Sequence, residues 1–175
     1  GIDLVVETEM SGPNNTVFLP ITVNNFTGVA TVQGTIVIDP AELTYVDATT
    51  PHSSEIIMTY GAPGQGTIPS NAVVFSGYAA DLISADLSDG DTLILLEFTV
   101  NAGASTGFTD VEIDGSVVPL GFSDDVSATV LSAPNVTNGG ITIDADPPVT
   151  VTVHIESDNA LDITCLLYTS DAADE

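Results

Sequence analysis

The chain has 175 residues, of which 25 are Asp or Glu and none is Lys or Arg, for a formal net charge of −25 at pH 7. With 43% hydrophobic residues punctuated by 15 Gly and 10 Pro, it is too apolar for a disordered acidic tail and reads as a folded domain whose surface bears one sign of charge. Such a surface does not attract phosphate backbones or anionic lipid, and no run approaches the roughly 18 apolar residues of a membrane span, so nucleic-acid, membrane-surface and membrane-spanning functions are disfavoured.

The dominant sequence period is two. "IDLVVETE" (2–9), "NTVFLPITVNN" (15–25), "GVATVQGTIVI" (28–38), "AVVFSGYAA" (72–80), "DTLILLEFTVNA" (91–102), "TDVEI" (109–113), "VSATVLS" (126–132) and "NGGITID" (138–144) are rich in Val, Ile, Thr and Phe and bounded by Gly, Pro, Asn or Asp. Short strands spaced by turn signals, with no amphipathic helix pattern, predict an all-β fold, an antiparallel β-sandwich. "GAPGQG" (61–66) is a loop, and "SDGD" (88–91) is the Asp-Gly signature of a hairpin.

The texture changes at "DADPPVTVTV" (144–153), where consecutive prolines stiffen the chain and cannot join a ladder. Residues 1–144 are therefore read as the sandwich, 145–149 as a linker, and 150–164 as the start of a further β-rich module. The closing "CLLYTSDAADE" (165–175), which holds the only cysteine, resembles the translation of a transposase-type sequencing adapter rather than native protein.

Residues 28–46, "GVATVQGTIVIDPAELTYV", resemble the "Y-D-P-x-x-L" signature of cohesin domains, in which a strand leaves its sheet at Asp-Pro and a leucine plugs the core. Here these are Asp39, Pro40 and Leu43. Pro40 has no N–H for the ladder, Asp39 is suited to accept nearby backbone donors, and Leu43 re-enters the interior. "NTVFLPITVNNFTGVATVQ", "LSDGDTLILLEFTVNAGA" and "NGGITI" are similar to other cohesin stretches in the family's order across residues 2–144. Two positions depart from the pattern: Ile38 stands in place of the usual Tyr, and Gly34 where a bulky inward residue is common.

The resemblance implies a nine-stranded jelly-roll that does no chemistry and binds a dockerin, a small helical module that carries its own calcium, on one sheet face. No cofactor is expected on this chain. Alternation along the third predicted strand puts Val29, Thr31, Gln33, Thr35 and Val37 on one side and Ala30, Val32, Ile36 and Ile38, read as core, on the other. By the resemblance, Thr31, Gln33 and Thr35, together with Gly77, Ala80 and Asp81 around the sixth strand, are the expected partner contacts. Thr31 and Gln33 stand where cohesins often carry Asn and Asp, so charge-assisted pairing is reduced. The expected location is extracellular, secreted or displayed on a cell surface.

Catalytic constellations are weak. His52 lies beside Ser53, Ser54 and Glu55, but there is no nucleophile-elbow motif, and His154 has no visible partner. The oxygen-rich stretch 84–97 has its glycine at the wrong offset for an EF-hand loop. The alternative function is a carbohydrate-binding or purely structural surface module. The absence of Trp argues against stacking on a flat polysaccharide.

Overall fold

The computed structural model describes residues 1–124 and 134–145. The predicted strand 126–132, almost all of the linker, the segment 150–164 with His154, and the tail with Cys165 lie outside the described residues.

Within the described residues the chain forms twelve strand segments and no helix. In chain order they are β1 (Asp3–Val6), β2 (Thr8–Ser11), β3 (Thr16–Asn24), β4 (Thr31–Val37), β5 (Leu43–Thr49), β6 (Ile56–Gly61), β7 (Ala72–Ala79), β8 (Thr92–Val100), β9 (Gly107–Asp114), β10 (Gly121–Ser123), β11 (Asn135–Thr137) and β12 (Gly139–Ile143). One sheet has the order β11-β1-β3-β8-β5, and the other β2-β12-β9-β4-β7-β6, with β10 pairing β4. Three pairs of segments are continuous runs broken in place: β1/β2 at Glu7, β11/β12 at Asn138, and β9/β10 by residues 115–120. The twelve segments make two facing sheets, the arrangement of a jelly-roll sandwich.

Alternation builds the core as predicted. Val17, Leu19, Ile21 and Val23 of β3 are buried against Val32 and Ile36 of β4, Phe75 of β7 and Phe98 of β8 in one apolar cluster. Fully burying each such side chain contributes about 1.5–3 kcal/mol. Leu43 is buried as expected. Asp39 caps the preceding turn: its Oδ1 accepts from Ala41 N at 2.9 Å and its carbonyl from Leu43 N at 2.9 Å. The Phe75 ring, opposite Gly34 in register, fills the space that a larger inward residue would take, with Leu120 closing it from the other side.

Four expectations are corrected. The run 2–9 is not one strand, because β1 belongs to the first sheet and β2 to the second. Nor is the sandwich wholly antiparallel: β1 runs parallel to β11, and β2 parallel to β12. The first and last of the described runs, β1/β2 and β11/β12, thus cross from sheet to sheet side by side. At the crossing Glu7 N donates to Pro20 O at 3.0 Å, but Pro20 has no N–H to return, and the Glu7 carbonyl accepts from Gly140 N at 3.1 Å instead.

The Asp-Gly turn, third, does not close a hairpin, since β7 and β8 lie in different sheets. It ends a crossover whose middle is tied to residues 26–29 by the Val29–Ala85 bridge and by Leu87 N donating to Phe26 O at 2.9 Å. The same bridge and the left-handed Gly28 (φ 68°) break the alternation ahead of β4, so that, fourth, Val29 is buried rather than aligned with Thr31.

At Gly139 an added Cβ would strike the carbonyl oxygens of Val6 and Glu7, which are backbone and cannot swing aside. Gly139→Ala is therefore expected to cost about 1–3 kcal/mol in chemical denaturation. The exposed Gly103, with nothing within 4 Å, should accept alanine without loss. Equal stability of the two variants would refute the close-approach account of the crossing.

Candidate functional site

β9 and β10 together line one side of β4: Asp114 pairs with Thr35 and Gly121 with Gln33. Between them residues 115–120 leave the ladder and fold over β4. Thr35 Oγ1 donates to Val118 O at 3.0 Å and accepts from Val118 N at 2.8 Å, and Gln33 Nε2 donates to Pro119 O at 3.1 Å. The excursion leaves the Thr31 end of β4 open.

On the open part, two rows of outward-facing residues cross four strands. One row is Ser123, Thr31, Tyr78 and Ile57 on β10, β4, β7 and β6. The next is Gly121, Gln33, Ser76 and Thr59. Thr31 Oγ1 and Ser123 Oγ share a hydrogen bond of 2.5 Å. Tyr78 is 44% exposed and Ile57 38%. In a chain with 25 carboxylates, neither row carries a charge. Acidic residues border it instead, with Glu55 leading into β6, Asp81 following β7 and Asp124 following β10.

The six expected contact residues separate into two groups. Thr31 and Gln33 are exposed on the face, Ala80 is half-buried at its end, and Asp81 is exposed in the turn beyond. Thr35 is completely buried, because the 115–120 excursion covers it and its hydroxyl anchors that segment. Gly77 is also buried. It faces the interior against Met58, and a Cβ there would strike the Met58 sulfur. Neither reaches the surface. Alternation along "AVVFSGYA" carries the signal that matching to the family pattern missed: with Phe75 and Gly77 inward, Ser76 and Tyr78 must point out.

Tyr45 and Tyr60 are packing elements. Burial, with a smaller push from Asp47, raises Tyr45 to about 12, and its ring meets Phe98 edge-on at 6.3 Å. Burial also raises Tyr60 to about 12, against the opposing effect of its 2.6 Å hydrogen bond with Thr50. The exposed aromatic side chains Phe18, Tyr78 and Phe108 sit on β3, β7 and β9 and make no common stacking plane for a sugar chain, since β3 belongs to the opposite sheet and β9 lies across β4 from β7.

Carboxylates in the oxygen-rich stretch are engaged by the backbone. Asp86 Oδ1 accepts from Gly28 N and Asp89 Oδ1 from Asn25 N, each at 2.7 Å, and Asp91 Oδ2 from Ser88 N at 2.8 Å. His52 Nε2 lies 3.8 Å from Asp91 Oδ1 in a turn, with no nucleophile hydrogen-bonded to it among the described contacts. An open cleft of about 540 Å³ at the far end of β4 is lined by Asp39, Glu42, Asp110 and Glu112. Two of these are held by backbone donors, Asp39 by Ala41 N and Glu42 by Ser105 N. Among the described residues no group of three or more His, Cys, Asp or Glu is disposed to hold a metal ion.

Replacing Thr35 by valine keeps its shape but removes the acceptor of two amides, at Val117 and Val118. Thr35→Val is expected to lower stability by about 1–3 kcal/mol and to speed hydrogen exchange at both amides. Unchanged exchange there would show that the excursion does not depend on this hydroxyl.

No curated protein sequence matches the chain. Among solved structures it is similar to the seventh ScaB type I cohesin of Pseudobacteroides cellulosolvens, with 20% identity and a TM-score of 0.69 over 87% of this chain and 98% of that one. It is also similar to the sixth cohesin of Acetivibrio cellulolyticus scaffoldin B, solved in complex with a Cel5 dockerin, with 18% identity and a TM-score of 0.67 over 82% and 99%. A non-cellulosomal cohesin from the archaeon Archaeoglobus fulgidus matches at 12% identity and a TM-score of 0.64, over 82% and 91%. At these identities the likeness is one of fold. The cohesin domain family matches the sequence itself over residues 2–143, and with the Asp39-Pro40 exit and the Leu43 plug in place, the chain belongs to the cohesin domain family.

Proposed function

We propose that this domain is a non-catalytic interaction module, exported from the cell or displayed on its surface, that binds a dockerin-type partner on the outer face of β10, β4, β7 and β6. The observation that carries the reading is the uncharged double row around Tyr78 on a chain that is otherwise densely acidic. Such a face can be dried by a partner without stranding a carboxylate, a desolvation that costs several kcal/mol per unpaired ion. Thr31, Gln33 and Ser76 supply neutral hydrogen-bonding groups, and Tyr78 and Ile57 supply apolar area. Each neutral hydrogen bond contributes about 0.5–1.5 kcal/mol net, less than a charged one, so affinity rests mainly on the apolar groups. Ala80 and Asp81 border the contact, while Thr35 holds the 115–120 excursion at its edge and Gly77 lies beneath it. Calcium belongs to the partner in this reading.

Calorimetric titration of the whole chain against a panel of dockerins, with calcium and with chelator, tests it. Saturable, calcium-dependent binding is expected with at least one of them. Tyr78→Ala, at the centre of the face, should weaken it about 30-fold. Gln33→Arg should weaken it by placing a bulky cation in the uncharged row. A folded chain that binds none of the panel would refute the proposal and turn attention to polysaccharides.

A further inference from the structure

Three non-glycine residues among those described have left-handed backbone: Asn14 (φ 64°), Asn25 (φ 55°) and Leu82 (φ 64°). Asparagine adopts this conformation readily, but for leucine the Cβ crowds the neighbouring carbonyl. Leu82 recovers nothing by packing, since 80% of it is exposed. Its neighbour Ile83 is 56% exposed. The conformation is nonetheless well held. Leu82 N donates to Ala79 O at 2.9 Å, Asp81 Oδ1 accepts from Ile83 N at 2.7 Å and from Ser84 N at 3.1 Å, and Ala80 N donates to Glu55 O at 2.8 Å, tying the turn to the start of β6. Folding alone would be better served by Gly or Asn at this position.

The location of the turn supplies a reason. It follows β7 directly, four residues past Tyr78, at the end of the face where Thr31, Tyr78 and Ile57 align. Of the eight large hydrophobic side chains exposed among the described residues, four (Ile57, Tyr78, Leu82 and Ile83) belong to this corner. Strain that persists at a solvent-exposed apolar residue beside a candidate contact face points to a role in contact.

We propose that residues 79–84 form a built anchor in which Asp81 fixes the backbone so that Leu82 projects into an apolar cleft of the partner. This rests on the dockerin-binding reading and specifies the partner's chemistry. The partner offers an apolar depression for Leu82, flanked by cationic or neutral donor groups opposite Glu55 and Asp81. This chain has no Lys or Arg to pair with acids on the other side, so charge complementarity at the rim runs in one direction only.

The test compares Leu82→Gly, Leu82→Asn and Leu82→Met in thermal melts and in titrations with a dockerin that binds the unaltered chain. Leu82→Gly and Leu82→Asn are expected to raise Tm by relieving the backbone while weakening binding about 30-fold. Leu82→Met, which keeps an apolar side chain, should bind within about 3-fold of the unaltered protein. Undiminished binding by Leu82→Asn would overturn the anchor while leaving the dockerin reading intact. A Tm lowered by Leu82→Gly would overturn the strain on which it is argued. If the unaltered chain binds no dockerin, the reading itself fails and the anchor with it.

Discussion

The sandwich depends on one exchange of hydrogen bonds at Glu7. Proline at position 20 leaves the Glu7 carbonyl without its partner in the first sheet, and Gly140 N in the second sheet takes it. At that residue the β1/β2 run changes sheets, and the β11/β12 run changes with it at Asn138. Because the two runs cross together, each sheet receives one segment from both ends of the domain. The layers that bury Leu4, Val6, Ile141 and Ile143 against the rest of the core are held in place by this joint. The face around Tyr78 lies on the second of these layers.

A second constraint is the complete lack of Lys and Arg. Carboxylates that would elsewhere meet cations accept from backbone amides here, as Asp39, Asp81, Asp86, Asp89 and Glu42 do at turns and crossovers. Each such bond satisfies a donor that has no ladder partner, and the charge is stabilised by a dipole that salt screens only weakly. The acidic side chains are thus divided between fastening loops and covering the surface, and the double row on β10, β4, β7 and β6 is kept clear of them.

Much of this was legible in the sequence because a period of two states directly which residues face inward. The strands 16–24, 72–79 and 92–100 and their cores follow from it, as does Leu43 after Asp39-Pro40. What escaped were features set by distant partners. Thr35 continues the outward row in pattern, yet it is buried because residues 115–120 return over it, some 80 positions later in the chain. Val29 is turned inward by its bridge to Ala85. The Asp89-Gly90 turn has hairpin chemistry, but the strand before it lies in the other sheet, and local sequence does not reveal sheet membership. At β7 the local alternation is sufficient: it turns Gly77 inward and Tyr78 outward.

The parallel pairing of the end runs has a mechanical meaning. Asp3 lies beside Asn135, and Ser11 beside Ile143, so the two runs advance in the same direction past one another. A tension that draws residue 2 and residue 143 apart pulls one run backward and the other forward along their shared ladders. The bonds between β1 and β11 and between β2 and β12 are then loaded in shear, all at once, rather than opened one after another from an end. A load applied between these two points therefore meets both ladders together, and the sandwich resists extension along the direction of its paired end runs.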